Sequence, residues 1–266
     1  MKTVVITGSS RGLGWEMAQC FRKSGMNVVL NGVNPDRLQK AKLALEAMPG
    51  DGKVFSCFGD VCNVVDMQAL VDKSVAECGA IDIWINNAGV NQPMKPLWEL
   101  SESEIDQILG IDLKGTVIGS KLAMAQMIRQ GYGAIYNLEG YGSNDAMMLG
   151  LNMYGTGKRA VTHFTQALAK ESEECKTGVL VGRLSPGVMI TDFITNALGG
   201  KEKIDLPHKT RRFYNIVGDS PDVVADFLVT EMLKNKQNNA HIQWLTTAKI
   251  LYRFMTAGFN KRDFFA

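Results

Sequence analysis

The sequence predicts an α/β domain, a doubly wound parallel β-sheet with helices on both faces. Three observations carry that prediction. Short β-branched runs alternate with amphipathic stretches of helical length, the links between them are short, and the loops marked by glycine, asparagine and proline follow strands. Alternation with short links implies right-handed crossovers, so the strands run parallel and ligands meet the sheet at its carboxyl ends.

Taken in order, Thr3 to Ile6 is a β-branched run too short for a helix and stopped at once by Thr7-Gly8, as expected of a buried strand. T-G-S-S-R-G-L-G, Thr7 to Gly14, follows, and a helix starts near Gly12. Glycines there permit a tight turn, and the helix aims free N–H groups and the positive end of its dipole at the same spot, an anion cradle suited to a dinucleotide. A merely flexible loop is the alternative.

Val28 to Leu30 is a second strand, Asp36 to Met48 a helix begun at Pro35, Val54 to Phe58 a third strand, and Val64 to Cys78 a helix before the strand Ile81 to Ile85. That strand ends in N-N-A-G, Asn86 to Gly89, whose small residues let the chain pass beside a ligand. Ser101 to Gln130 is a long helical stretch with a weak point at Gly110 and Gly115, followed by the strand Ala134 to Leu138. A helix from about Leu151 to Glu171 leads to the strand Gly178 to Arg183, which runs out into S-P-G-V-M-I-T-D, Ser185 to Asp192.

From Phe193 to Ile216 regularity fades and basic residues dominate, which reads as a substrate lid (193–216) or as a solvated basic loop. Pro221 opens a helix to Leu233, and His241 to Leu245 is a last strand. The tail (246–266) carries Ile250, Leu251, Phe254 and Met255 with Lys249 and Arg253, an amphipathic helix that meets a partner subunit or touches a membrane surface. No repeat, linker or boundary divides the 266 residues, so one domain is expected.

A net charge of +2 gives no strongly basic field, so a nucleic-acid partner is not indicated. Five cysteines, Cys20, Cys57, Cys62, Cys78 and Cys175, are odd in number and offer neither a disulfide framework nor a zinc pattern; buried free thiols in a reducing compartment are expected, and no metal site. The chain enters its first strand at Thr3 with no signal or transit segment before it, and no apolar run is long enough to span a bilayer. The expectation is a soluble cytoplasmic protein.

Tyr154 and Lys158 in Y-G-T-G-K stand at i and i+4, on one face of their helix. An ammonium held near a phenol favours the phenolate, which would bring the tyrosine into use as proton donor and acceptor near neutral pH. Ordinary helix surface is the alternative for such a pair.

With T-G-x-x-x-G-x-G, N-N-A-G, Y-x-x-x-K and P-G-x-x-x-T-D in this order and spacing, the whole chain resembles the short-chain dehydrogenase/reductases. The resemblance implies a Rossmann-type fold, a nicotinamide cofactor cradled by Gly8, Ser10, Arg11, Gly12, Leu13 and Gly14, and a homodimer or homotetramer. It implies Tyr154 as proton donor to a small-molecule carbonyl and Lys158 bonded to the nicotinamide ribose. Asp60 and Val61 would lie beside the adenine, Asn87, Ala88 and Gly89 would support the cofactor, and Pro186, Gly187 and Thr191 would flank the carboxamide.

The chain departs from the family pattern at two places. The family's N-x-S-S stretch is Asn137-Leu138-Glu139-Gly140 here, which leaves Ser143 as the nearest hydroxyl, a carbonyl-polarising group or a turn residue. Asp112 replaces the asparagine of the proton-relay helix; it can anchor a water chain to Lys158, but its charge must be paired. N-L-E-G-Y-G-S, L-S-P-G-V-M-I-T-D and the run Asn215 to Val229 are similar to the chlorophyll(ide) b reductase branch, which reduces the 7-formyl group of chlorophyll b with NADPH. In that branch Ser143 would be the family serine at a shifted position.

NADPH is also the expectation from the end of the second strand. Asn31-Gly32-Val33-Asn34 lacks the carboxylate that repels a 2′-phosphate, and Arg11 lies where a base grips it. A dinucleotide-binding regulator that kept the fold and lost turnover is the competing class.

Overall fold

The computed structural model describes residues 1–189, 208–258 and 262–264. β1 (Thr3–Ile6) passes through the glycine turn into α1 (Gly12–Lys23), and the unit repeats as β2 (Asn27–Gly32), α2 (Pro35–Glu46), β3 (Val54–Phe58), α3 (Val64–Cys78) and β4 (Ile83–Asn86). Next come α4 (Glu102–Ile108), a π-helical segment (Leu109–Gly115), α5 (Thr116–Gln130), β5 (Gly133–Leu138), α6 (Asn152–Glu174) and β6 (Val179–Ser185). α7 (His208–Val217), α8 (Pro221–Lys234), β7 (Ala240–Gln243) and α9 (Thr247–Thr256) complete the described chain.

The seven strands form one sheet in the order β3-β2-β1-β4-β5-β6-β7, every neighbouring pair parallel. Alternation along each strand sends side chains to opposite faces. Val4, Ile6, Val28, Leu30 and Ile85 pack with Met17 and Phe21 of α1 and Leu228 and Met232 of α8. Val5, Val29 and Trp84 pack on the other face with Met67 and Leu70 of α3 and Met124 and Met127 of α5. The order reverses between β1 and β4, where their carboxyl ends open a crevice for a ligand. The architecture is the doubly wound Rossmann-type fold.

Local chemistry explains the helix starts. Asn34 and Asn63 accept from the first-turn N–H groups of α2 and α3, and Ser101 with Glu104 forms a capping box at α4. The weak point at Gly110 and Gly115 is the π-helical segment. There Val61 comes so close that a Cβ on Gly115 would lie 2.6 Å from its Cγ2.

Two expectations need correction. The second part of the proposed lid, from His208, is the regular helix α7, of whose residues only Val217 is fully buried, and residues 193–207 lie outside those described. The cysteines are free but not buried: Cys20, Cys57, Cys62 and Cys78 are half-buried and Cys175 is exposed. Desolvation together with nearby Asp60 pushes the Cys62 thiol up to about 11, which makes it a poor nucleophile.

The tail is the amphipathic helix expected, with its apolar side chains outward. Arg253 turns inward to Asp219 at 2.7 Å, while Leu251, Tyr252, Phe254 and Met255 are exposed. Arg262 joins the same carboxylate at 3.1 Å, and Trp244 Nε1 donates to it at 2.7 Å. No helix among the described residues is long and apolar enough to cross a membrane.

Candidate active site

The cradle is built by close packing. Gly8 and Gly12 hold φ of +62° and +59°, a region that side chains disfavour. A Cβ on Gly8 would lie 2.8 Å from the Ala88 Cα, and one on Gly14 would lie 2.7 Å from the Gly8 carbonyl and collide with the Asn87 amide. Thr7 fastens the two loops: its hydroxyl accepts from the N–H of Asn87 and of Ala88, each at 3.0 Å, while the Asn87 amide donates to the Thr7 and Gly8 carbonyls at 2.9 and 3.1 Å.

Arg11, exposed and in extended conformation, precedes α1, whose first turn holds no carboxylate and receives no side-chain cap. The helix start is therefore left to an anion, and the residues fit a dinucleotide phosphate. Leu13 is buried in the core and anchors that turn. Ser10 Oγ lies against Gly32 at the end of β2.

At the same strand end Asn31 is committed to the sheet, donating to the carbonyls of Cys57 and Gly59 at 3.2 and 3.1 Å, and Asn34 caps α2. Asp60 closes a small turn by accepting from Cys62 N–H at 2.9 Å, and Val61 packs against Gly115. Gly187, after Pro186, has φ of +76° and a Cβ there would lie 2.6 Å from that of Leu245; Thr191 is outside the described residues.

Tyr154 and Lys158 are buried, 6 % and 3 % exposed, with the Lys158 ammonium 5.6 Å from the centre of the tyrosine ring. The π-helical segment turns Asp112 inward, fully buried, with Oδ2 at 3.2 Å from Lys158 Nζ and Oδ1 accepting from Val90 N–H at 2.8 Å. A Cβ on Gly89 would sit 3.4 Å from Asp112 and 3.6 Å from Lys158 Nζ, so the N-N-A-G loop roofs the pair. Lys158 also donates to the Leu138 carbonyl at 3.4 Å.

This pairing reverses one expectation. Burial, and secondly the Asp112 carboxylate, push the Tyr154 phenol well above its ordinary value instead of lowering it. The ammonium meant to favour the phenolate is already neutralised. Asp112 is itself pushed up, because burial outweighs the Lys158 ammonium and the Val90 N–H that draw it down.

The departure at Glu139-Gly140 has a steric reason. The Tyr154 hydroxyl lies where a Cβ on Gly140 would be, so no side chain fits at that position. The loop does fold back over α6, bringing in Ser143, but its hydroxyl accepts from Gly140 N–H at 3.2 Å and donates to the Lys158 carbonyl at 3.3 Å. In this arrangement Ser143 ties the loop to the helix.

Two residues of the site have no local signal in the sequence. Gln92, fully buried, accepts from the N–H groups of Met153 and Tyr154 at 2.9 and 3.0 Å and so caps α6 from a distant loop. Glu139 binds Thr162, Ser185, Arg183 and His241. Burial would raise its carboxyl, but hydrogen bonds from His241, Ser185 and Thr162 outweigh that and hold it down at about 2. Among the described residues no cluster of side chains is suited to a metal ion.

Comparison with known proteins agrees with this geometry. The short chain dehydrogenase family model matches residues 2–201. A probable chloroplastic chlorophyll(ide) b reductase of Oryza sativa subsp. japonica is 32 % identical over 280 residues, covering 99 % of this chain and 54 % of the relative. A second chloroplastic chlorophyll(ide) b reductase of that plant is 33 % identical over 260 residues, covering 95 % of this chain and 74 % of the relative. The chain thus spans about half the length of the first of these relatives.

Among solved structures, an alcohol dehydrogenase of the archaeon Thermococcus sibiricus complexed with 5-hydroxy-NADP superposes with a TM-score of 0.77 at 24 % identity, covering 93 % of this chain and 97 % of that one. The chain belongs to the short-chain dehydrogenase family.

Proposed function

We propose that this protein reduces an aldehyde to an alcohol with NADPH, and that the aldehyde is the 7-formyl group of chlorophyll b or a related formyl compound. The observation that carries the reading is the Tyr154 phenol, held protonated by its surroundings one turn from Lys158 at the carboxyl edge of the sheet. The printed names of the relatives and the E-G-Y-G-S stretch from Glu139 to Ser143 support the formyl substrate.

When bound, the reduced nicotinamide supplies the hydride. Tyr154 Oη gives its proton to the carbonyl oxygen as the C=O π pair moves onto that oxygen, so charge never accumulates on a free alkoxide. Lys158 positions the ribose. Gly8, Gly12 and Gly14 leave room for the pyrophosphate at the start of α1.

The test is NADPH consumption with chlorophyll b, chlorophyllide b and smaller aldehydes, identifying the product as the hydroxymethyl compound. Formyl-selective turnover is expected. Tyr154→Phe should abolish it while dinucleotide binding, read by fluorescence titration, survives. Turnover of every aldehyde except the formyl pigments would sink the substrate assignment, and an active Tyr154→Phe would sink the mechanism.

A further inference from the structure

We propose that Asp112 claims the charge of Lys158 for itself, which makes Tyr154 a standing proton donor and biases the site toward carbonyl reduction over alcohol oxidation. The proposal rests on Tyr154 as the acid in the reading above, but not on the identity of the aldehyde.

The geometry is that of a closed pair. Asp112 Oδ1 accepts from the Val90 N–H, and Oδ2, which has no aligned hydrogen bond, lies at ion-pair distance, 3.2 Å, from the Lys158 ammonium. Its carbonyl accepts from the Thr116 hydroxyl at 2.8 Å, which pins the π-helical segment in place. Both side chains are shut away from water, 0 % exposed for Asp112 and 4 % for Lys158, so solvent screens the pair little.

Among the described residues, the neighbouring charged groups are paired elsewhere. From the end of β5, Glu139 is turned onto Thr162, Ser185, Arg183 and His241. From α6, Arg159 pairs outward with Asp145 at 2.9 Å, and from α4, Glu104 pairs with Lys95 at 2.9 Å. Beside the Tyr154 ring the Lys158 ammonium lies 5.6 Å from its centre and is paired with the Asp112 carboxylate.

A neutral amide at position 112 would leave the ammonium uncancelled and favour the phenolate, the form that accepts a proton from an alcohol. The carboxylate favours the phenol. In reduction the proton leaves Tyr154 Oη for the substrate oxygen, and the phenolate left behind, beside a neutralised lysine, is a strong base that must regain its proton before the next turnover. Oxidation must begin from that same phenolate, and Asp112 keeps it scarce.

The test reads phenolate absorbance at 295 nm against pH in the full chain. The protein has six tyrosines, so Tyr154 is isolated as the difference between each protein and its Tyr154→Phe counterpart. In the wild type no Tyr154 phenolate should appear below about pH 10, the ordinary phenol value. In Asp112→Asn, of nearly the same size, its midpoint should fall by roughly one pH unit or more.

With an aldehyde that the enzyme reduces, and its alcohol, the pH at which oxidation is half-maximal should fall in parallel. A wild-type Tyr154 phenolate below about pH 9 overturns the proposal whether or not the variant folds. So does a folded Asp112→Asn whose titration or oxidation limb has not moved. The absorbance measurement needs no substrate, so failure of the chlorophyll reading leaves it intact.

Discussion

Gly140 and Arg11 show how far single residues decide this site. At Gly140 the Tyr154 hydroxyl occupies the space of a side chain, so Gly140→Ala should displace the tyrosine and lower turnover by roughly a hundredfold, the scale of a 1 Å misplacement. Steady-state kinetics check this, with circular dichroism confirming the fold. Arg11 lies exposed at the cradle, across from a β2 end that offers Gly32 and exposed Val33 in place of a carboxylate. Arg11→Ala should erode the preference for NADPH over NADH by on the order of 1.5–3 kcal/mol, one charge-assisted hydrogen bond, read from paired binding titrations. Unchanged preference would move the phosphate elsewhere. The cradle glycines Gly8, Gly12 and Gly14 were legible in the sequence because they lie within eight residues, Thr7 to Gly14, between a strand and a helix. The influence of Asp112 on Tyr154 was not, because it depends on a distance between α6 and a segment more than forty residues earlier.

Among the elements, α6 presents the chemistry and is itself held from outside. Its first residues offer no side-chain cap of their own, and Gln92 accepts the N–H groups of both Met153 and Tyr154. Gln92→Ala should cost about 1–2 kcal/mol of stability, the range of a lost cap, and should weaken turnover by loosening Tyr154. Denaturant unfolding beside kinetics will separate the two effects; turnover that survives a measured loss of stability would show that the cap serves the fold alone. Strands and helices were readable from periodicity wherever an element buries one face. α7 was passed over because basic residues crowd that stretch, although Tyr214, Asn215 and Ile216 are half-buried; α9, legible as an amphipathic helix, carries its apolar face outward with Arg253 turned in.

Across the molecule, Glu139 joins more of the fold than any sequence signal suggests. Following β5, it reaches Thr162 on α6, Arg183 and Ser185 on β6, and His241 on β7. Its carboxyl is held at about 2 when folded, against an ordinary value near 4.5, so the folded state gains from the ionised form. A depressed carboxyl contributes fully above the unfolded value, and the contribution is lost as pH falls from about 4.5 through about 2. That amounts to about 3 kcal/mol, since each pH unit of difference is worth about 1.4 kcal/mol. Glu139→Gln should therefore flatten unfolding free energy against pH across that window, and a wild-type slope retained in the variant would assign the acid sensitivity to other carboxylates. None of this was visible in one dimension, because the partners of Glu139 are spread over about eighty residues of chain downstream.

The anchoring of the tail bears on how the protein is handled at the bench. Arg253 and Arg262 both close on Asp219, which lies in the short link between α7 and α8. A version shortened just after β7 would keep every strand of the sheet yet strip that carboxylate of both guanidinium groups and of the Trp244 donor, and uncover the surface they pack on. Such a trimmed protein would emerge as a sticky, poorly behaved fragment rather than a minimal enzyme. Shortening from the carboxyl end, the usual way to tidy a chain for crystals, is the wrong edit here; an added tag beyond Ala266 is the safer one.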